Sequence, residues 1–421
     1  MNVAFLLHLY QPATQEEKTF REIAHSSYIP LLKFLKTHKN VNISLNVPLS
    51  LLSQMDAYGY DSWISDLKDL VHNDRVELVG SAAYHPILTK LPREFAERQV
   101  ILNEYGMGYY FGRHTGFEGE EAIMIKDLKG FFPPELAVND DLVKMLNDLG
   151  YEWVLVDATA IPESVNDSHK YGVFSLDNYN TKVVCRNRLF SNMLSFKRDL
   201  NMVEVIDSLN FFKANNRSFC AVLDGEFFGH HFDKGIDFLE LLAESMSEIG
   251  INIITISDYV RGDSVQRMSS ISESSWGASD EDMKKGEFYP MWCNSKNAIH
   301  KLQWELLHEL LDVYTASEYF DVKNPDDYQI LPVWLPKKMD DIKDKTLRKT
   351  LEVELAVNKA LASDQFWWAS GIGLPTGQIL YSGDMIIRSL NMYKEVSKVL
   401  ENRPFDRFVD ESIENLKKLI S

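Results

Sequence analysis

The chain has 421 residues, of which 45% are apolar and 12% aromatic, enough to fill a packed core, too many for a disordered chain, and spread over a length that suits two or three domains. Its formal net charge of −18 argues against nucleic acid, whose binding rests on basic patches, and against anionic membrane surfaces. A neutral polymer is the better match as a partner.

Residues 3–7 form a short apolar run that predicts a buried first strand. His8 ends it, and Gln11-Pro12 turns the chain away. The opening has no basic n-region and its apolar run is too short for a signal peptide or a membrane span. With three scattered cysteines, Cys185, Cys220 and Cys293, and no disulfide framework or cysteine zinc motif, the sequence reads as soluble and cytoplasmic. A helix follows over 29–37, then strands over 41–45 and 76–79. The third strand closes on Gly80-Ser81, with His85-Pro86 in the loop beyond. Residues 106–119 are rich in glycine and aromatics and read as an irregular lid or substrate loop.

Residues 130–132 are a brief apolar run closed by Pro133 and Pro134, which puts Glu135 in a loop. Asn139 or Asp140 suits the cap of a helix over 142–149 that Gly150 ends. A strand over 153–156 ends in Asp157, and one over 182–185 is followed by Arg186 and Arg188. Residues 219–223 read as a fully buried strand with Asp224 at its end. Gly225, Glu226, Gly229 and the His230-His231 pair follow, then a helix from Gly235 to Gly250 and a β-rich run over 251–256. Strands alternating with helices predict an α/β fold with a parallel sheet, here a distorted seven-stranded (β/α) TIM-like barrel over residues 1–263. Residues 264–282, rich in Ser, Glu and Asp, read as a linker. Beyond them the β signal vanishes. Helical spacing over 298–314, 340–363 and 390–400 predicts a mainly helical C-terminal domain over 283–421 that contributes to a substrate cleft. It contains Ser363-Asp364-Gln365-Phe366-Trp367-Trp368.

Two carboxylates, Glu135 and Asp224, therefore sit at strand-to-helix loops, the edge that carries chemistry in parallel α/β folds. Cleavage of a glycosidic bond needs such a pair, one as acid and one as nucleophile or base; ordinary loop acids capping helices are the rival reading. His8 and His85, at strand ends, suit sugar hydroxyls or a satisfied core. Glu226 shares a side with Asp224 only if the backbone stays extended, and reads as a sugar-contacting acid. Asp157 suits substrate contact or a cap, and Arg186 and Arg188 suit a carboxylate, a sugar or solvent. Trp367 or Trp368 suits a stacking platform or the core, and Asp364 the cleft or a helix cap. His8, His85, Asp157, Asp224 and His230 are the only candidate ligands for a metal-dependent hydrolase of the polysaccharide-deacetylase kind, and none has tight metal-ligand spacing. Carbohydrate binding without turnover is the third alternative.

The chain resembles glycoside hydrolase family 57, the retaining α-glucan-active enzymes. His8 with Gln11-Pro12 is similar to that family's opening motif, with a Leu-Tyr pair between His8 and Gln11. GSAAYHPIL (80–88), PPELAVNDDLV (133–143) and LDGEFFGHH (223–231) resemble three further motifs, and YPMWCNSKNAIHKLQWE and SDQFWW resemble stretches of its helical region. The resemblance implies a seven-stranded (β/α) barrel plus a helical domain, and hydrolysis or glucanotransfer at α-glucosidic bonds of an α-glucan or oligosaccharide, without metal or other cofactor. It implies Glu135 as nucleophile, Asp224 as acid/base, and His230 facing the site. On this reading His8, Gln11, His85, Glu226, His230, Asp364, Trp367 and Trp368 bind substrate. Asp224 is expected to keep its proton near neutral pH because burial and the charge of Glu135 raise its pKa.

Overall fold

Strand β1 (Asn2–His8) is buried along almost its whole length. A continuous apolar run of this kind has no solvent face to alternate with, and it takes neighbours on both edges. It pairs in parallel with β2 (Ile43–Asn46) and β8 (Phe219–Asp224), while its first residues pair with β9 (Asn252–Ile254). Strand β3 (Val76–Val79) completes this sheet beside β2. A second five-stranded sheet runs in the order β10 (Val265–Met268), β6 (Val173–Leu176), β7 (Lys182–Cys185), β5 (Trp153–Val156), β4 (Gly130–Phe131). All its pairs are parallel except β6 with β7. The structure is a computed structural model, and it describes residues 1–112, 128–165, 170–197, 201–320, 339, 342–373 and 379–420.

The strands are thus bonded as two sheets rather than one continuous one. Single parallel bridges, Gly80 with Phe131 and Arg186 with Cys220, link β-structure of one sheet to the other. With only two residues, β4 is too short for a full ladder with β3. Ala4, Leu6, Val79, Trp153, Leu155, Val173, Val184, Cys220 and Val222, drawn from both sheets, share one core cluster with Ile256, Tyr259 and Val260. Trp153 fills its centre, its indole N–H donating to Ser257 Oγ at 2.9 Å.

That tryptophan explains Gly130. A Cβ there would lie 1.9 Å from Trp153 Cζ2, so only glycine lets β4 approach β5. Gly130→Ala is expected to cost about 1–3 kcal/mol by overpacking, read as a lowered urea midpoint at unchanged slope. An unchanged midpoint would mean Trp153 has room to move.

The described chain divides into two compact units. One comprises Met1–Gln11, Gln15–Ala83 and Leu88–Trp276; the other comprises Pro12–Thr14, Tyr84–Ile87 and Gly277–Ser421. The second unit is built from helices Ala298–Thr315, Lys345–Ala360, Gly383–Leu400 and Arg403–Ile420 with short helical turns between. The stretch 264–282 is not a plain linker. Val265–Met268 is the edge strand β10, and Asp280–Lys284 is a short helix under a Ser279 capping box. An edge strand with polar residues facing water carries no apolar alternation, so it reads as a loop. Residues 106–111 likewise belong to a helix, Arg93–Phe111, rather than to an irregular loop. Gly106 serves packing there, since a Cβ would meet Leu49 Cδ1 at 2.5 Å. Residues 113–119 of that expected lid lie outside the described residues.

Candidate active site

Three neighbouring strands end at one level. His8 pairs in register with Asn46 on one side and Asp224 on the other. Side chains alternate along a strand, so Ala4, Leu6 and His8 share a face, as do Cys220, Val222 and Asp224. The first two of each set lie in the core cluster, and His8 and Asp224 therefore stand over that core at the strands' C-terminal ends.

His8 is buried, with Nδ1 2.7 Å from Asn46 Oδ1, while Asn46 Nδ2 donates to the Val79 carbonyl at 3.1 Å. With its amide nitrogen spent on Val79, Asn46 offers its oxygen. The His8 proton then sits on Nδ1, and Nε2 carries the lone pair. Burial lowers the His8 pKa to about 4, so the ring is neutral near pH 7. Asp224 is reached by solvent yet hemmed in by protein. That desolvation pushes its pKa up to about 6, while the Arg186 guanidinium pulls the other way.

Glu226 lies two residues on, in the turn Gly225–Phe227 rather than in extended backbone. It is buried, and its Oε1 accepts from the Tyr28 hydroxyl, from Tyr10 N at 3.2 Å and from Gln11 Nε2 at 3.4 Å. Burial first, and then the charge of Asp224, raise its pKa to about 7. Its carbonyl takes the N–H groups of His230 (3.1 Å) and His231 (3.0 Å). Both imidazoles are exposed, with ring centres 5.0 Å apart.

Glu135 sits in the turn Pro134–Leu136 with φ 60° and ψ 17°, the left-handed region that costs a residue with a Cβ about 1–2 kcal/mol. Trp276 holds it there twice. Its backbone N–H donates to the Glu135 carbonyl at 3.1 Å, and its indole Nε1–H donates to Glu135 Oε2 at 2.8 Å. The Trp276 ring stands edge-on to Phe132 (5.9 Å) and to His8 (6.4 Å), and His8 stacks on Phe132 at 4.7 Å. One aromatic cluster thus ties to Glu135 through Trp276 and to Asp224 through His8.

Asp157, at the end of β5, is fully buried and paired with Arg186 Nε at 2.5 Å and Arg188 Nη1 at 3.0 Å. Its carboxylate is engaged by these arginines, not held out to solvent. Arg186 also lies over the Trp276 ring, 5.4 Å from its centre. With Asp157 held by arginines and His8 by Asn46, the set of metal ligands considered from the sequence loses two members. Among the described residues no group of three or more His, Cys, Asp or Glu is placed to hold a metal ion.

His85, Asp364, Trp367 and Trp368 belong to the second unit. His85 is buried with φ 58°, its Nδ1 3.1 Å from Ser363 Oγ and its carbonyl accepting from Ser363 N at 3.1 Å. On the short helix Asp364–Trp367, Gln365 and Phe366 are buried, Phe366 stacking on Trp304 at 4.2 Å. Trp367 and Trp368 are half-buried and meet edge to face at 4.6 Å. Asn46, Tyr28 and Trp276 were not singled out from the sequence. A polar residue closing β2 is a readable sign for Asn46; the other two act through partners far along the chain.

The model of the family described as glycosyl hydrolase family 57 matches residues 6–272. An alpha-amylase of Pyrococcus abyssi is 28% identical over 158 residues, 37% of this chain and 22% of the relative. A 4-alpha-glucanotransferase of Thermococcus litoralis is 26% identical over 158 residues, again 37% and 22%. The matched part thus spans about a fifth of these curated relatives. The fold is similar to that of the GH57-type branching enzyme of Pyrococcus horikoshii, with a TM-score of 0.69 at 18% identity, covering 100% of this chain and 96% of the other. No described helix is long and apolar enough to cross a membrane. The match over residues 6–272 takes in β1 through β10, Glu135 and Asp224: the chain belongs to glycosyl hydrolase family 57.

Proposed function

We propose that the chain cleaves or transfers α-glucosidic bonds of an α-glucan by a retaining double displacement. Glu135 attacks the anomeric carbon while Asp224 protonates the leaving oxygen. The covalent glycosyl-enzyme is then resolved by water or a sugar hydroxyl that Asp224 deprotonates. The observation that carries this reading is the shared aromatic cluster. Glu135 is fixed on it in a strained backbone by Trp276, and Asp224 is fixed on it through its in-register neighbour His8, with its pKa raised to about 6. A carboxyl poised between acid and base near neutral pH suits a group that gives a proton in one step and takes one in the next. His8, Gln11, Glu226 and His230 are assigned to sugar hydroxyls, as are His85 and Asp364. We infer further that β1, β2, β3, β4, β5, β7 and β8 follow the order of a distorted seven-stranded barrel, supported by the two bridges that join the sheets. A cytoplasmic location belongs to the same proposal.

The test is the first-formed product from maltooligosaccharides of several lengths, read by proton NMR. An α anomer is expected, and longer chains appear if a sugar is the acceptor. A β anomer, or no cleavage of any length offered, would overturn the reading. Trp367→Ala is expected to raise KM about tenfold, worth 1.4 kcal/mol of binding, with the melting temperature kept. A lost fold with no separate KM effect assigns Trp367 to the core instead.

A further inference from the structure

The helix Glu17–Ile23 does not run straight into Ile29–Thr37. Between them lies a π-helical turn, Ala24–Tyr28. Such turns give up regular bonding to re-aim side chains, and they are frequent at functional sites. Here the turn grips the loop after Asp224 at three points. Ser27 Oγ donates to the Gly225 carbonyl at 3.0 Å. Gly229, with φ 110°, comes so close that a Cβ would lie 1.9 Å from the Ser26 carbonyl oxygen. The Tyr28 hydroxyl donates to Glu226 Oε1. Tyr28 is itself fully buried, its carbonyl taking the Trp63 indole N–H at 3.0 Å and its hydroxyl oxygen taking Gln11 Nε2 at 2.9 Å.

We propose that Tyr28 is a positioning residue: carried on the π turn, it fixes Glu226 as a charge-bearing neighbour of Asp224 and so sets the pH at which Asp224 gives up its proton. The proposal rests on Asp224 being the acid/base. Three donors, from Tyr28, Tyr10 and Gln11, converge on one oxygen of Glu226, which orients the carboxylate and favours its anion. A Glu226 anion raises the proton affinity of Asp224 by like-charge repulsion. The two carboxyls titrate as a pair. Tyr28 and Asp224 act on Glu226, and Arg186 opposes the rise at Asp224. His8, beside Asp224, is neutral, and His230 and His231 are exposed.

The sign follows. Tyr28→Phe removes a donor to the Glu226 anion, so Glu226 keeps its proton to higher pH. Asp224 then meets less repulsion and loses its proton at lower pH. The alkaline limb of kcat/KM for maltooligosaccharides should move down by about half to one pH unit, a loss of about three- to tenfold at a fixed pH on that limb. An activated aryl glycoside, whose leaving group needs no proton, should show no such shift in kcat/KM. Glu226→Gln, permanently neutral, should move the limb the same way, and the double variant no further. A folded Tyr28→Phe with the limb in its original place overturns the proposal, as does an additive double variant. If Tyr28→Phe fails to fold, Glu226→Gln decides, and an unmoved limb overturns it. Asp224→Asn with full activity would instead remove the acid/base reading on which the proposal stands.

Discussion

Glu135→Ala is expected to lower turnover of maltooligosaccharides by a factor on the order of 10⁴–10⁶, the scale seen when a covalent nucleophile is removed. The chemical reason is specific. Without the carboxylate no glycosyl-enzyme forms, and no other group is assigned to the anomeric carbon. Added azide, small enough for the vacated space, should attack from the face that Glu135 occupied. The product from an activated α-glycoside is then a β-glycosyl azide, formed by a single inversion. The alanine variant should fold, because the left-handed backbone at 135 is held by the bond from Trp276 N to the Glu135 carbonyl, which alanine keeps. Trp276→Phe, which keeps the ring and removes the indole N–H, should lower kcat more than it raises KM, because the carboxylate loses its orienting donor. Full activity in Glu135→Ala, or an azide product of α configuration, sinks the nucleophile assignment.

Much of the fold was legible because its signals are local. Helix Ile29–Thr37 and strands β3, β5 and β7 fall where apolar runs and their punctuation place them. Asn139 caps the helix Asp140–Asp148, its Oδ1 accepting from Leu142 N at 2.9 Å. The strand-end positions of Glu135 and Asp224 were readable for the same reason. Pro133-Pro134 and Gly225 each stop an apolar run beside a carboxylate. The antiparallel β6 and the polar edge strand β10 were missed, because four residues with little apolar alternation look like loop until a partner is known. What holds the two carboxyl regions was not legible at all. Tyr28 reaches Glu226 across 198 residues, and Trp276 reaches Glu135 across 141. No window of sequence contains both partners. The left-handed turn at Glu135 is equally silent, since glutamate does not advertise that conformation as glycine would.

Asp224→Asn is expected to separate leaving groups. On maltooligosaccharides, whose departing sugar oxygen needs a proton, kcat/KM should fall by about 10²–10⁴, the usual contribution of general acid catalysis. On an aryl glycoside with an acidic phenol the same constant should change several-fold at most, while kcat falls because deglycosylation has lost its base. Azide should then speed turnover by taking the glycosyl group directly, giving an α-glycosyl azide by double inversion, opposite to the product from Glu135→Ala. The variant also has a stability signature. In the folded chain the Asp224 pKa is raised from 3.8 to about 6, so holding it ionised opposes folding. That penalty is absent below the unfolded pKa, grows between the two values, and is fully present above the folded one. Asparagine carries no charge to desolvate. The asparagine variant should therefore melt higher than the parent at pH 8, with the difference shrinking as the pH falls toward 4. Gaining stability by giving up a destabilised functional carboxyl is the trade expected of an active site. Equal losses on both kinds of leaving group, together with melting differences that do not vary with pH, would remove Asp224 from the acid/base role.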